Sequence, residues 1–213
     1  MEQVRMIILY LVFWPSVQLM GLVLFRIKPH LYLKCIIIST LVLTQTSYFL
    51  QSYKLIFLMS ILHPIVLLLC FWVFYRLQIV QSLLMATLVF GLNVVLESSF
   101  NLLLAQYNYI EFIRISRNDY FIQGLVLTTI NYLITVLLYF YRIGFTFVTS
   151  NIMIRKKAFP KKLILTVILG WLPILITSLT IEYFSEIIML AITTTFFALV
   201  IILHLSHEKE MME

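Results

Sequence analysis

Residues 82–104 read SLLMATLVFGLNVVLESSFNLLL, twenty-three positions with a single charge, Glu97. A helix of that length rises about 35 Å, enough to cross a hydrocarbon core of about 30 Å. Six further stretches have the same character: Met6–Phe25, Cys35–Leu50, Leu55–Tyr75, Phe121–Tyr141, Leu163–Ile181 and Ile187–His204. The second and the last are the shortest. The whole chain is 62 % hydrophobic and 11 % charged, with a mean hydropathy of +1.05. Soluble domains are about 45–50 % apolar and about 25 % charged, so that class is excluded. The expected fold is an all-α, polytopic transmembrane bundle of seven spans over residues 1–204, with a short tail over 205–213.

The loops give the orientation. Lys and Arg are held on the cytoplasmic side during insertion. The first, third and fifth loops and the tail hold Arg26, Lys28, Lys34, Arg76, Arg142, Arg155, Lys156, Lys157, Lys161, Lys162 and Lys209. The N-terminus and the second, fourth and sixth loops hold only Arg5, Lys54, Arg114 and Arg117. This asymmetry predicts an N-terminus outside and a C-terminus in the cytoplasm. An odd number of spans agrees with it, because an even number would place both ends on one side.

The run Arg155-Lys156-Lys157-Ala158-Phe159-Pro160-Lys161-Lys162 anchors this topology. Near an anionic leaflet each such cation is worth about 1 kcal/mol. A nucleic-acid patch is not expected, since the +6 net charge gathers in one short loop with no folded domain around it. The partner implied is the lipid bilayer, and the location is the cell membrane, multi-pass.

Nearly all of the 213 residues go to crossings, which leaves no room for a soluble catalytic domain. The first apolar run is about twice a signal-peptide h-region and is followed by Arg26 and Lys28, so it is expected to remain as a span. Cys35 and Cys70 fall near inner helix ends, where reducing conditions disfavour a disulfide. No inverted internal repeat of the secondary-transporter kind is visible.

Two loops are longer than the rest. Ala105–Tyr120, AQYNYIEFIRISRNDY, mixes Tyr, Phe and Ile with Glu111, Arg114, Arg117 and Asp119. Aromatic rings beside charges suit the headgroup zone. A loop that captures an amphipathic ligand would have the same composition. The fifth loop opens with Arg142–Ile154, apolar enough to lie along the inner surface before the basic run.

Polar residues inside spans carry the functional signal, because burying them in lipid is expensive. Asn93, Glu97 and Asn101 are four apart and share one helical face. An ionised side chain at mid-bilayer costs at least about 2.5–3.5 kcal/mol, so Glu97 is expected to face the bundle interior, protonated or paired. His63 lies eight residues in from Leu55, about 12 Å deep, and Glu97 seven residues in from Leu104, about 10 Å deep. Their helices are consecutive and antiparallel. Pro64, next to His63, removes a backbone donor and kinks the span. Gln45, with Thr44, Thr46 and Ser47, falls in the same outer half. The candidate ligand-binding set is therefore Gln45, His63, Asn93, Glu97 and Asn101, a pocket open to the outside. The plainer reading is interhelical glue, typically about 0.6 kcal/mol per hydrogen bond, and proton handling is a third. Gln18 and Asn131 read as isolated packing contacts.

Enzyme motifs are absent: no H-E-x-x-H, P-loop, G-x-S-x-G or Gly-rich dinucleotide turn. His63 and Cys70 stand seven apart, the spacing of the His and Cys in accessory-gene-regulator B peptidases, which they resemble in that respect. Their apolar neighbours, Leu62, Pro64, Ile65, Leu69 and Phe71, lack the polar, accessible surroundings of a reactive thiolate. No enzymatic activity is expected, and no metal or organic cofactor.

The order of segments resembles the membrane sensor region of quorum-sensing histidine kinases of the accessory-gene-regulator C type. The resemblance is carried by YLKCIIISTLVLTQTSYFLQ (Tyr32–Gln51), QSLLMATLVFGLNVVLES (Gln81–Ser98) and the ending HLSHEKEMME (His204–Glu213), similar to the first turn of a helix leading to the kinase. It implies an integral membrane, receptor-like sensor for an extracellular peptide or small apolar signal. The output would pass to a cytoplasmic signalling partner, or through a homodimer. This sequence contains no phosphoacceptor helix and no ATP-binding domain, so it is not expected to autophosphorylate. Two other classes stay open: a substrate-binding subunit of a transporter, and a membrane scaffold or assembly protein without ligand.

Overall fold

The computed structural model describes residues 2–53, 55–118, 120–146, 164–172 and 188–211. Regular structure among them is entirely helical. The long helices are α1 (Glu2–Leu24), α2 (Leu33–Ser52), α3 (Ile56–Val73), α4 (Ile79–Leu104) and α6 (Tyr120–Phe140), with a short α5 (Tyr109–Asn118) before α6. Helical residues 164–172 form α7, and α8 spans Ile188–Met211. A 3₁₀ turn over Pro29–Tyr32 joins α1 to α2. Among the described residues, five helical segments are long and apolar enough to cross a membrane: Val4–Leu24, Pro29–Ser52, Ile79–Leu104, Phe121–Phe140 and Leu190–Met211. The apolar stretch Ile61–Val73 of α3 is shorter.

Helices α1, α2, α3, α4 and α6 overlie five of the stretches expected from sequence, and three further points concern the rest. The loop expected over 105–120 contains a helix, α5. The tail expected from residue 205 continues α8 without a break to Met211. Of the sixth span only 164–172 are described; the basic run Arg155–Lys162 lies outside the described residues.

Side-chain hydrogen bonds fix how the helices run. Tyr10 pairs with Gln51, Trp14 with Ser47 and Gln18 with Thr40, so α1 and α2 are antiparallel neighbours. Ser47 with His63 and Cys35 with the Phe74 carbonyl set α3 antiparallel to α2. α1 and α6 run parallel: Ser16 faces Asn131, and the Phe145 amide, just past α6, reaches the Leu24 carbonyl at 2.8 Å. Gly91 lets α8 close on α4, where a Cβ would come within 2.6 Å of Leu199 Cδ2. Small residues allow such approaches where lipid supplies no hydrophobic drive between helices.

Burial is distributed as a lipid solvent demands. Ser16, Gln18, Ser39, Ser47 and Asn131 are each 0 % exposed, whereas Leu133, Val136 and Phe140 are 58 %, 62 % and 79 % exposed. On α2 the exposed side carries Ile37, Ile38, Leu41 and Val42, while Ser39, Thr40, Thr44 and Ser47 turn inward. In water this arrangement would strand apolar surface and bury polar groups. In hydrocarbon it does the reverse, because the polar groups bond one another and the aliphatic surface meets acyl chains. The described residues thus form a helical bundle whose long apolar helices and lipid-like surface suggest a membrane-embedded protein.

Candidate functional site

Three polar networks cross the bundle interior. In the first, Ser47 Oγ accepts from Trp14 Nε1 at 3.0 Å, lies 2.8 Å from the Leu43 carbonyl and 2.9 Å from His63 Nε2. A hydroxyl has one proton. If Ser47 gives it to Leu43, His63 must donate from Nε2, and its Nδ1 is the free acceptor. The His63 ring also stands edge-on to Trp14 with centroids 4.8 Å apart. Both rings immediately precede a helix proline, Pro15 in α1 and Pro64 in α3. Each proline removes one helix hydrogen bond at that level.

The second network centres on Gln18. Its Nε2 donates to Thr40 Oγ1 at 3.2 Å, and its Oε1 accepts from Tyr75 OH at 2.6 Å and from Ser39 Oγ. Ser39 Oγ also lies 2.6 Å from the Cys35 carbonyl. Tyr75 stacks on Tyr32 at 5.5 Å and meets Phe71 edge-on at 5.3 Å. The third links α6, α4 and α1. Asn131 Nδ2 donates to Asn93 Oδ1 at 2.8 Å and faces Ser16 Oγ at 3.5 Å, while Asn93 Nδ2 donates to the Val89 carbonyl at 2.8 Å. Asn131 Oδ1 is buried without a hydrogen-bond partner among the described residues.

The five candidate residues separate. His63 belongs to the first network and is buried; Asn93 belongs to the third. Asn101 is buried towards the far end of α4. Glu97 is half-buried and makes no hydrogen bond or ion pair among the described residues. His63 and Glu97 do not bond each other. Gln45 is exposed, on the side of α2 away from Thr44 and Ser47. Two residues further on, at about 100° each, put Ser47 on the opposite side of the helix, and Ser47 is the α2 residue that meets His63. Gln18 and Asn131, which read as isolated, are hubs. Apart from Asn93, their partners are Ser, Thr and Tyr from other helices, residue types whose placement leaves little trace in sequence.

His63 and Cys70 share α3 but are separated by about 10 Å of helix rise. Cys70 is buried in the apolar core with Phe71, Leu67 and Met85. Among the described residues no group of three or more His, Cys, Asp or Glu side chains converges.

The helix that carries Glu97, α4, packs against both α5 and α8. α5, a short amphipathic helix, follows α4; the Asn108 side chain caps it, accepting from the Ile110 amide at 3.0 Å. Phe112 is buried against Ala105, with Leu102, Ile115 and Ile192 packed around them, while Glu111 pairs with Arg114 at 2.7 Å on the other side. α8 packs along α4. At its far end Glu210 accepts from the Thr146 amide at 2.7 Å and the Thr146 hydroxyl at 2.5 Å. Comparison with protein families, with curated proteins and with solved structures finds no match for this chain, and the functional reading rests on its own geometry.

Proposed function

We propose that this chain is a seven-span membrane sensor, N-terminus outside and C-terminus in the cytoplasm, which detects an extracellular peptide or small apolar signal and passes it to a cytoplasmic partner. The observation that carries the reading is Glu97. It is the one acidic side chain well within an expected span, it is half-buried, and no described residue bonds it. A donor group on a ligand would give it the partner the bundle does not. α4, which holds Glu97, packs on α8, and α8 leads to the Glu210–Thr146 latch at the C-terminal end. A shift of α4 therefore has a direct mechanical route to that end, and ligand binding would act by favouring one packing of the helices over another.

The seven-span topology draws support from helix directions. α6 and α8 both finish at the end where Thr146 meets Glu210, so the chain must return between them, and α7 lies in that interval. The Lys and Arg asymmetry puts this end inside. A scaffold without ligand is the second reading, favoured by the three networks, whose members bond chiefly one another.

The test is cysteine labelling in intact cells with a membrane-impermeant maleimide, in a background with Cys35 and Cys70 replaced by Ala. Tyr107→Cys should label from outside and Met211→Cys only after permeabilisation. Glu97→Cys should label from outside, and His63→Cys should not. If Glu97→Cys stays unlabelled while Tyr107→Cys reacts, no outer pocket reaches Glu97 and the scaffold reading takes over. Labelling of Met211→Cys from outside would reverse the topology.

A further inference from the structure

At the end of the bundle opposite α5, the ends of α1 and α6 border an open groove of about 480 Å³. This lies within the about 300–1,000 Å³ typical of small-ligand sites. Apolar Val23, Ile27, Leu138 and Ile143 line it together with three cations, Arg26, Lys28 and Arg142. Arg26 and Lys28 follow the last residue of α1 within four positions, and Arg142 follows the last residue of α6 by two. All three therefore sit where apolar spans end, the level of lipid headgroups. The Arg26 guanidinium donates to the Arg142 carbonyl at 2.7 Å, which ties the two chain segments together and holds the pocket's shape. None of the three cations has an ion-pair partner among the described residues.

Three exposed cations border the same groove without an ion-pair partner among the described residues, and a phosphate there would offset their mutual repulsion. The apolar side chains that share the groove suit the glycerol backbone and the start of an acyl chain. Exposed aliphatic and aromatic groups on α6, Leu137 and Phe140 among them, continue the apolar path towards the membrane interior. Basic pockets between transmembrane helices are a recognised way to hold anionic headgroups. We infer that this groove is a binding site for a single anionic phospholipid, its phosphodiester held by Arg26, Lys28 and Arg142. The inference is independent of the sensor reading and needs only that this end of the bundle lie at a membrane surface.

The test is native mass spectrometry of the full chain released from micelles containing equal amounts of phosphatidylglycerol and phosphatidylcholine. One phosphatidylglycerol should be retained in clear preference. Arg142→Gln and Lys28→Gln should each weaken that retention about fivefold, the effect of one surface cation. Arg5→Gln, an exposed cation near the start of α1, should leave it unchanged. Lys28 makes no side-chain hydrogen bond, so Lys28→Gln decides the matter if Arg142→Gln fails to fold. Equal retention of the two lipids, or equal loss in Arg5→Gln, would overturn the inference. So would displacement of the lipid by millimolar inorganic phosphate, which would make this a site for a soluble anion.

Discussion

Replacing Gln18 with Leu keeps the volume of the side chain and removes its amide. Gln18 bonds Thr40, Ser39 and Tyr75, joining α1 to α2 and to the end of α3. Interhelical hydrogen bonds in lipid average about 0.6 kcal/mol, so three give a loss of about 2 kcal/mol. The loss is unevenly shared. Ser39 keeps the Cys35 carbonyl at 2.6 Å, and the Thr40 hydroxyl can turn to a carbonyl of its own helix. Tyr75 is left with Ser39 at 3.4 Å as its one hydroxyl partner. Adding Tyr75→Phe to Gln18→Leu should therefore cost less than Tyr75→Phe alone, with a coupling of about 0.6–1.7 kcal/mol. Reversible unfolding in mixed detergent micelles, followed by tryptophan fluorescence, measures all four corners of the cycle. Gln45→Leu is the control: exposed on the aliphatic side of α2, it should change stability by no more than about 0.5 kcal/mol. A Gln18→Leu loss no larger than that of Gln45→Leu, or strict additivity with Tyr75→Phe, would refute the buried network.

Three more outcomes follow from the same geometry. Ser47→Ala strips the acceptor from Trp14 Nε1 and the partner from His63 Nε2, and should destabilise by about 1–3 kcal/mol; unfolding measurements in which Trp14→Phe recovers part of the loss would confirm the route. Asn93→Leu and Asn131→Leu each leave an amide unpaired, so the double variant should be more stable than the sum of the singles predicts, by up to about 1.7 kcal/mol in a double-mutant cycle. Gly144→Ala sets a Cβ at 2.5 Å from the Leu24 carbonyl on a backbone with φ +153°; it should free residues 141–146 from α1, read as faster hydrogen exchange of the Phe145 amide.

Helix positions were legible because one physical requirement governs them: about 20 apolar residues to cross the core. Charges at span ends, such as Arg26 and Lys28 after α1, mark where that requirement stops. The interior is harder to read. A four-residue spacing put Asn93, Glu97 and Asn101 on one face, and they do follow one another along α4. Yet Asn93 reaches α6, and Glu97 reaches nothing described. Spacing fixes a direction from one helix and says nothing of which neighbour stands there. Gln45 shows the converse: sequence proximity to Ser47 placed it near His63, while helical rotation carried it to the outside. α5 lay within reach of sequence reading, since Asn108 offers a helix cap and Phe112 and Ile115 stand three apart against Glu111 and Arg114.

The contrast between Glu97 and the other interior polar groups gives the sensor reading its weight. Apart from Asn131 Oδ1, the hydroxyls, amides and imidazole of the three networks bond within the bundle and act as helix-to-helix attachment. A carboxylate at this depth costs more than any of them, at least about 2.5–3.5 kcal/mol when charged. Had Glu97 served attachment alone, a bonded partner on α3, α6 or α8 would be expected, as Asn93 has one turn away in Asn131. It is held instead on a helix locked at Asn93 and pressed against α8 at Gly91, with its own carboxylate uncommitted. A charge-bearing group kept at such cost, without a partner among the described residues and on a helix packed against α8, is what the proposed sensor reading would require.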